Sequence, residues 1–532
     1  MTVVNVGPKS TNNKNFEDVL KFGRYQILQY FLMCVPVALV SMAHVNYVFV
    51  AEEVDHRCLV PECDSANPEA ATPSWWPPGL DKKCYKPVVD QAVYDSNNQT
   101  CSKITFEKTE NCKKWVYESD NSIFSSLDLG CQSWKAAMVG FVHNAGMITS
   151  MLTVGWLSDK FGRRPLAILC SIGGCIGLLK IFMTNYYAYV VIEFLESVLE
   201  SGLYTVGVVL MLEVGGETKR ILTTVIFSYA VYIGEILFAV EAMFLKHWKS
   251  LTLVVYTPMI VFILYFPILR ESMRWQLLRG KTSEVKETFK KIVNINKINV
   301  TPAEIDALSD EEIRLKFNVT LQTEKEKFKE IIASKEIMKR VGVASACFFT
   351  SSFLYYGLMV NSVLLPGNKY INFMLSSLIA FPGDLMALFV LGRFGRRMSL
   401  QGAYIFTAVF LIAQTYTPLY LSWLKVCLFL MGKACVVICF TSIYTYALEL
   451  FPTSVRGSLF GFGSTIARVG GMLAPLTPLL ATKLSEMPSI LFAATAIISA
   501  SLLIITPETK NLPMFDTIVQ VEAHKHKTIT HL

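Results

Sequence analysis

The stretch Gly155-Trp-Leu-Ser-Asp-Lys-Phe-Gly-Arg-Arg-Pro165 forms a short charged turn between two long apolar runs. A related turn, Gly392-Arg-Phe-Gly-Arg-Arg-Met398, lies between two further apolar runs. The step from Gly162 in the first turn to Gly395 in the second is 233 residues. A repeat of this length, with several apolar runs inside it, indicates two related halves.

Two other landmarks repeat at nearly the same step. The segment from Glu213 to Arg220 recurs as Glu449 to Arg456, 236 residues later. Arg270-Glu-Ser recurs as Pro507-Glu-Thr, with 237 residues between the two glutamates. Three landmarks in one order at one period predict two homologous halves, each with several membrane helices, which is the architecture of a secondary transporter.

The composition independently indicates a polytopic membrane protein. Of 532 residues, 52% are apolar and only 17% are charged, against about 25% in an ordinary soluble domain, and the mean hydropathy is +0.42. The net charge of +7 lies in short loops beside the apolar runs. That distribution follows the positive-inside rule and does not favour a nucleic-acid partner.

Twelve apolar runs are long enough to cross a bilayer, which takes about 20 residues per helix. They are Tyr25–Val50, Ala136–Leu157, Leu166–Met183, Tyr187–Leu212, Ile221–Leu245, Leu251–Leu269, Val341–Val363, Tyr370–Leu391, Leu400–Tyr416, Leu419–Leu448, Leu459–Leu480 and Ile490–Ile505. The predicted fold is an all-α membrane protein with twelve transmembrane helices. Its six-helix halves cover 25–269 and 341–506, between an N-terminus (1–24), a linker (270–340) and a tail (507–532).

Lysine and arginine predict the orientation of these helices. Six arginines lie in turns that a topology with a cytosolic N-terminus places in the cytosol: Arg163, Arg164, Arg220, Arg396, Arg397 and Arg456. The 270–340 linker, on the same side, is rich in lysine. Because basic loops stay on the cytosolic side, both termini are predicted to be cytosolic.

A polar insert at 51–135, between the first two apolar runs, lies on the opposite side in this topology. It contains six of the thirteen cysteines: Cys58, Cys63, Cys84, Cys101, Cys112 and Cys131. An even set outside the membrane predicts up to three disulfides, with 15 possible connectivities. A zinc site is the alternative, but the spacing lacks paired Cys-x-x-Cys knuckles and the exterior is oxidising, so no metal is expected. Asn98-Gln99-Thr100 is a glycosylation sequon.

The 270–340 linker is charged and favours helix. Thr301-Pro302-Ala303-Glu304 combines a capping threonine, a proline at the first helical position and a glutamate that completes a capping box. The composition fits either a small bundle against the inner mouth of the membrane domain or a solvated connection.

The motifs together resemble one family. Gly155-x-x-x-Asp159-x-x-Gly162-Arg163-Arg164 is similar to the signature turn of the major facilitator superfamily. The cysteine-bearing insert, Glu271-Ser-Met-Arg-Trp275, Glu449-Leu-Phe-Pro-Thr-Ser-Val-Arg456 and Pro507-Glu-Thr-Lys-Asn-Leu-Pro513 narrow the resemblance. Over essentially the whole chain, they resemble the family of organic cation, organic anion and carnitine transporters (solute carrier 22-like), whose members lie in the plasma membrane.

The resemblance implies a cytosolic gate built on the signature turns. Its implied members are Asp159, Arg163, Arg164, Glu213, Arg220, Arg396, Arg397, Glu449 and Arg456. Charges at helix ends can pair with charges or helix dipoles of the other half in one conformation and release them in the other. The alternative is that the arginines only fix topology. Gly392 stands where the first turn has Asp159, so the second half of the gate is expected to be weaker.

Charged and aromatic residues inside the spans are the candidates for substrate binding, because an ionisable residue at mid-membrane costs about 2.5–3.5 kcal/mol and usually faces a cavity or a partner. The resemblance implies that the organic cation branch carries an aspartate at the position of Arg468, whereas the anion and carnitine branches carry arginine there. Its planar donor fork suits a carboxylate. Lys433 and Phe440 match the same two branches.

Further candidates fill out this site. Tyr355 and Tyr356 also match the anion and carnitine branches, and their rings suit an apolar body or a quaternary ammonium, although core packing explains them equally well. The resemblance implies that the anion branch carries a lysine at the position of Asp384. With an acid in place of that cation, the site fits a zwitterion better than a dianion. Glu235 is an additional acidic candidate.

Other acidic and basic residues lie in the apolar runs. Glu193, Glu196 and Glu200 follow helical spacing, which predicts an acidic face on the fourth run. Lys180 and Glu241 lie near predicted span ends and are interpreted as interfacial.

The sequence favours a transporter of small organic ions over other classes. The sequence has no large soluble domain and no recognisable combination of nucleophile, base and orienting residue, so an enzyme is not indicated. No nucleotide or other cofactor site is recognised. A polyspecific organic cation transporter, a sugar transporter and a transport-dead receptor remain as alternatives. The last residues, Thr528-Ile-Thr-His-Leu532, place a hydroxyl and an apolar side chain next to the terminal carboxylate, as a PDZ groove requires; a disordered tail is the alternative.

The first prediction tests the orientation through the insert. Asn98→Gln should abolish the mass shift that a glycosidase produces, because an acceptor is glycosylated only on the exterior side. The triplets at Asn299 and Asn318, on the cytosolic side in this topology, serve as matched controls. A glycan on either of them, or none at Asn98, would contradict the topology.

Overall fold

The computed structural model describes residues 22–64, 69–89, 101, 108–216, 220–298, 300–309, 311–313, 328–452, 454–481, 484, 486–510, 515, 517–518 and 520–522. The predicted glycosylation residue Asn98, the tail residues Thr530 to Leu532 and the side chain of the gate candidate Arg220 lie outside this described part.

Within the described residues, twelve helices are long and apolar enough to cross a membrane. In order, spans 1 to 12 are Arg24–Val50, Ser133–Phe161, Arg163–Phe182, Tyr186–Gly215, Leu222–Phe244, Trp248–Tyr265, Lys335–Leu364, Lys369–Phe394, Arg396–Tyr416, Ser422–Leu450, Arg456–Ala481 and Met487–Ile505. The predicted all-α membrane fold is confirmed. Several spans begin at charged residues that hydropathy excludes, such as Arg163 and Lys335, because the helical hydrogen bonds continue past the apolar run.

The two turns that define the repeat have the same geometry. Gly162 and Gly395 adopt φ angles of +108° and +99°, which disfavour any residue with a side chain. Each glycine lies against a carboxylate that caps the following helix. Glu271 accepts hydrogen bonds from the backbone N–H of Arg163 (2.9 Å) and Arg164 (3.1 Å). The face of the protein with these turns is called the turn face, and the opposite face the insert face.

Glu508 has the same role in the second half. Its carboxylate accepts hydrogen bonds from the N–H groups of Arg396 (2.8 Å) and Met398 (3.2 Å) at the start of span 9. A Cβ on Gly395 would lie 2.8 Å from that carboxylate. Glu271 and Glu508 are the pair that the sequence repeat matches, so the repeat corresponds to one structural device used twice.

The two halves contact each other closely on the insert face. Lys369 at the start of span 8 makes an ion pair of 2.5 Å with Glu52 just after span 1. Phe49 stacks on Tyr370 with ring centroids 5.1 Å apart and packs edge-on against Phe373 at 5.4 Å. These contacts join the two halves on the insert face.

Spans 2 and 11 also cross between the halves at close range. A Cβ on Gly140 of span 2 would lie 2.7 Å from Pro475, and one on Gly471 of span 11 would lie 3.4 Å from Asn144 of span 2. Small residues at helix contacts let the backbones approach in the absence of a hydrophobic driving force.

The insert contains the only strands in the described part of the chain. Strand β1 (His56–Cys58) pairs antiparallel with β4 (Trp115–Tyr117), and β2 (Tyr85–Pro87) pairs with β3 (Thr109–Asn111). The three predicted disulfides are present and join Cys58 to Cys112, Cys63 to Cys101 and Cys84 to Cys131. A buried ion pair between Arg57 and Asp64, at 2.7 Å, adds to this small core.

The described part of the linker packs as a bundle. Its helices are Met273–Leu278, Thr282–Asn296, Pro302–Asp306 and Phe328–Ala333. The capping box of Thr301 and Glu304 forms as predicted. Phe289 and Ile292 are buried with Tyr25 of span 1, and Asn296 accepts a hydrogen bond from the Tyr25 N–H at 2.8 Å. Of the two interpretations, the bundle against the membrane domain is therefore the one observed.

The second prediction concerns the Glu508 cap. Burial raises the pKa of Glu508, but hydrogen bonds from the backbone N–H groups of Arg396, Met398 and Lys510 outweigh it and hold the pKa below its ordinary value. A lowered folded-state pKa stabilises the protein above the unfolded value of about 4.3, and this contribution is lost as the pH falls through the folded-state pKa. Glu508→Gln should therefore lower the melting temperature in detergent at pH 7, and the difference should narrow in acid.

The exposed Glu287 of the linker is the matched control. Glu287→Gln should shift the melting temperature little at any pH, because surface substitutions usually change stability by less than about 0.5 kcal/mol. Equal shifts for the two variants would contradict the capping role.

Candidate functional site

Six of the predicted substrate residues lie in the membrane spans of the C-terminal half, and a seventh faces them from span 5. We call the set Glu235, Tyr355, Tyr356, Asp384, Lys433, Phe440 and Arg468 the central site. These residues come from spans 5, 7, 8, 10 and 11, so the site lies where the two halves meet. Asp384 joins the others through Tyr232 of span 5, to which it is hydrogen-bonded at 3.0 Å.

Lys433 occupies one side of the central site. Its ammonium donates to the backbone carbonyl of Tyr355 at 2.7 Å and lies 3.6 Å from the centre of the Tyr355 ring. The same ring packs against Phe440 at 5.3 Å. Lys433 is buried, and the carboxylate of Glu235 in the other half attracts it electrostatically. This lysine is thus held within the protein by a ring, a carbonyl and a neighbouring acid.

Arg468 lies on the other side of the site with a different set of partners. Its guanidinium donates to the hydroxyl of Tyr356 at 3.2 Å. Among the described residues, Arg468 makes no ion pair with a carboxylate. Its donor fork therefore retains capacity for an acidic group.

Acidic residues bridge spans 5 and 8 across the boundary between the halves. Glu235 accepts from the hydroxyl of Ser377 at 2.7 Å. Asp384 accepts from Tyr232 at 3.0 Å and from Thr441 of span 10 at 2.6 Å. The rings of Tyr232 and Phe381 lie 5.4 Å apart beside this carboxylate. The site therefore has a cationic pole at Arg468 and an acidic, aromatic pole at Asp384.

The gate candidates lie at the turn face and pair within their own halves. Arg163 makes ion pairs with Asp159 (2.9 Å) and Glu213 (3.3 Å). In the second half, Arg396 pairs with Glu449 at 3.0 Å, and Gly392 offers no counterpart of Asp159. Arg164, Arg397 and Arg456 donate to the carbonyls of Phe266, Thr506 and Phe451, respectively. In the described residues of the turns, no ion pair joins the two halves.

A second group of ionisable residues is fully buried in the N-terminal half. We call His143, Lys180, Glu193, Glu196 and Glu200 the N-half cluster. The ammonium of Lys180 lies 2.9 Å from Glu193 and 2.5 Å from Glu196, and it donates to Tyr256 at 2.9 Å. His143 is 2.8 Å from the other oxygen of Glu193. The acidic face predicted for Glu193, Glu196 and Glu200 is thus real and faces inward.

The interfacial interpretation of Lys180 is wrong. Its side chain is 0% exposed and lies inside the bundle. The end of span 3 winds as a 3₁₀ helix, Gly174–Phe182, and turns Lys180 toward span 4. Glu241 differs, since it is only partly buried near the end of span 5. The sequence placed both near span ends, and only the packing of span 3 on spans 4 and 6 separates them.

Two histidines connect the N-half cluster to the central site, and the sequence analysis missed both. His44 of span 1 lies 2.9 Å from His143, nitrogen to nitrogen. The His44 ring also packs edge-on against Tyr356 at 5.5 Å, next to Arg468. Their position in the middle of apolar runs was the available signal, because histidine in a transmembrane segment is rare.

Comparisons with known proteins are consistent with this geometry. The family described as Major Facilitator Superfamily matches residues 123–475. "Organic cation transporter protein" of Drosophila melanogaster is 29% identical over 527 residues, which cover 94% of each chain. "Solute carrier family 22 member 6-A" of Xenopus laevis is 27% identical over 94% of this chain and 92% of that protein. A structure of the xylose transporter XylE from E. coli has a TM-score of 0.60 at 13% identity and covers 92% of this chain and 100% of that chain, a likeness of fold alone.

The third prediction concerns Lys180. Lys180→Met should destabilise the protein in detergent by about 3–5 kcal/mol, because it leaves two buried carboxylates without their cation. Lys249→Met, at an exposed position in span 6, is the matched control and should change the melting temperature little. Thermal melting of both purified variants measures the difference. A Lys180 variant as stable as the control would contradict the buried pairing.

Proposed function

The chain belongs to the major facilitator superfamily, whose family model matches more than half of it, and we propose that it is an alternating-access transporter of small organic ions. Within that class we propose carboxylate-bearing zwitterions as the preferred substrates, with organic anions next. The curated relatives, among them the organic cation transporter protein of Drosophila melanogaster, support an organic-ion transporter and not an enzyme.

The observation that carries the substrate proposal is the state of Arg468. It is a half-buried cation in the middle of the membrane, and its described hydrogen bond goes to a neutral phenol. An arginine at this depth normally pairs with an acid. A substrate carboxylate would accept two hydrogen bonds from its guanidinium. Lys433 is less suited to this role, because its ammonium already contacts the carbonyl and the ring of Tyr355.

The second pole of the site supports a zwitterion over a dianion. Asp384 is buried at the boundary between the halves, beside the rings of Tyr232 and Phe381. A carboxylate framed by aromatic rings suits an ammonium or quaternary ammonium group. A second anion would be repelled there.

The contacts between the halves support alternating access. On the insert face the halves are joined by the Glu52–Lys369 pair and by the stacking of Phe49 on Tyr370. The turn-face charges pair within each half instead. We propose that Asp159, Arg163, Glu213, Arg396 and Glu449 re-pair across the halves when the turn face closes, with Arg164, Arg220, Arg397 and Arg456 assisting.

The proposed location is the plasma membrane, with both termini cytosolic. The basic turns and the disulfide-bonded insert on opposite faces support this orientation. A PDZ scaffold at Thr530 to Leu532 would hold the transporter in one membrane region.

A polyspecific organic cation transporter is the second candidate. The name of the Drosophila melanogaster relative favours it, and Asp384 and Glu235 would then carry the binding. The two candidates differ in whether transport needs Arg468. A cationic substrate would be repelled by the arginine charge and would not bind there. Sugar transport is supported only by the likeness of fold to the xylose transporter. A transport-dead receptor would bind a substrate without moving it across the membrane.

The fourth prediction tests the role of Arg468. Purified protein in proteoliposomes is given labelled carnitine, hippurate, tetraethylammonium or xylose, as zwitterion, anion, cation and sugar. Arg468→Ala should reduce uptake of the carboxylate-bearing probe by at least tenfold, since loss of one partner of a buried charge pair costs about 2–5 kcal/mol. Arg274→Ala, in the exposed part of the linker, is the matched control.

Each outcome decides between the candidates. Carnitine or hippurate uptake that depends on Arg468 supports the proposal. Tetraethylammonium uptake that survives Arg468→Ala and fails with Asp384→Asn supports the cation transporter. Uptake of xylose alone, or binding without flux, would overturn both.

A further inference from the structure

We propose that His44 is the entry point of a proton relay that runs from the central site into the N-half cluster and couples transport to a proton. The inference concerns residues that the substrate proposal does not use. Its link to substrate, through Arg468, rests on the proposed function.

A chain of contacts runs from span 11 to span 3, and its continuous hydrogen-bonded part begins at His44. Arg468 donates to Tyr356, and the Tyr356 ring packs on His44. From His44 the nitrogens continue to His143 at 2.9 Å and from there to Glu193 at 2.8 Å. Glu193 and Glu196 are then joined by the ammonium of Lys180, which lies 2.9 Å and 2.5 Å from them. Each step after His44 is within proton-transfer distance.

The hydrogen bonds fix which nitrogens carry protons. The Glu193 carboxylate accepts, so Nδ1 of His143 donates and its Nε2 is left as an acceptor. Nδ1 of His44 therefore donates to His143, and Nε2 of His44 has a free lone pair. That atom is buried and has no hydrogen-bond partner among the described residues. A basic nitrogen without a partner, beside the central site, is suited to receive a proton.

The charge of the cluster favours proton uptake. The cluster contains three carboxylates and one ammonium, and all four side chains are buried in the membrane domain. Neither oxygen of Glu200 has a hydrogen-bond partner among the described residues. Glu200 lies beside Gly174 and Met259, in surroundings that cannot solvate an anion. Excess negative charge at this depth is relieved when the cluster binds a proton.

A metal cation fits the cluster less well than a proton. Donor atoms of His143, Glu196 and Glu200 lie within 4.8 Å of one another. A hard cation such as Ca²⁺ requires about six to eight oxygens, whereas the residues offer three donor groups, and the Lys180 ammonium already lies against Glu196. A proton needs a single acceptor.

The groups that face the relay come from every element packed against it. His44 faces His143 of span 2, Tyr204 of span 4, Tyr356 of span 7 and Arg468 of span 11. His143 in turn faces Tyr47 of span 1. The cluster faces Tyr189 of span 4, Tyr256 of span 6 and Cys170 of span 3. Arg468 and Lys180 are the fixed cations of this set, so they bracket the relay.

The transfer conserves protons. A proton from the central site binds Nε2 of His44, and the proton on Nδ1 of His44 passes to Nε2 of His143. The proton on Nδ1 of His143 passes to Oε1 of Glu193. One proton enters and one is held on the Glu193 carboxyl, while both imidazoles end neutral in their other tautomers.

Arg468 gives the relay its coupling to substrate. Arg468 and His44 both contact Tyr356, so the arginine charge lies close enough to oppose a second positive charge on the His44 ring. A substrate carboxylate on Arg468 would offset that charge and so favour proton entry. Because binding free energies are reciprocal, proton entry would favour the substrate carboxylate equally. The expected mode is therefore movement of a proton and a carboxylate-bearing substrate in the same direction.

The fifth prediction tests the relay without a substrate. Proteoliposomes on a solid-supported membrane are stepped from pH 7.5 to pH 6.5, and the transient current from protons entering the protein is recorded. The wild-type protein should give a current well above protein-free liposomes, and His44→Gln should reduce it at least fivefold. Glu193→Gln should do the same, while His247→Gln, at the exposed start of span 6, should leave it unchanged.

Alternative outcomes overturn the relay. A wild-type current no larger than that of bare liposomes, or one that survives both His44→Gln and Glu193→Gln in monodisperse protein, would refute it. A current evoked by a sodium step at constant pH and abolished by Glu200→Gln would show a metal-cation site instead. Because these measurements use no substrate, their failure is distinct from failure of the transport proposal.

A second measurement tests the coupling with the probe that the wild type carries. An acidic exterior should accelerate its uptake several-fold, and His44→Gln should remove this acceleration while exchange of labelled for unlabelled probe continues at equal pH. Uptake accelerated equally in both proteins would place the pH dependence elsewhere and contradict the coupling.

Discussion

The hydrocarbon core of a bilayer offers no water to a buried charge, so each ionisable side chain there must find its partner inside the protein. This constraint organises the interior. Lys180 is enclosed by Glu193, Glu196 and Tyr256. Lys433 is held by the ring and carbonyl of Tyr355. Arg468 is the exception, and the same constraint makes it the most informative residue in the chain.

The two halves solve their turns in the same way. A glycine with a positive φ angle allows a sharp turn into the third helix of each half. A glutamate that follows the sixth helix of the same half caps the start of this third helix. This contact ties the third helix of each half to its sixth. Each half is thus braced at the turn face, as expected for units that move as bodies while their interface changes.

The halves are not equivalent in their chemistry. The N-terminal half holds most of its buried charge in one cluster of three carboxylates, one ammonium and a histidine. In the central site, the C-terminal half carries two separate cations, Lys433 and Arg468, each next to an aromatic ring. His44 lies between these two environments. The asymmetry separates a buried cluster of carboxylates in the N-terminal half from a site of single cations and aromatic rings at the boundary between the halves.

The sequence by itself determined the twelve spans, the repeat, the capping box at Thr301 and the cysteines of the insert, because apolar length, spacing and local capping are properties of neighbouring residues. It also selected the central site, from charges in apolar runs and from the family resemblance. The tertiary structure alone decided the disulfide connectivity, the burial of Lys180 and the contact of His44 with His143, 99 residues apart. These partners are far apart in the chain, and their meeting depends on how the helices rotate and pack and how the insert folds, which no local pattern encodes.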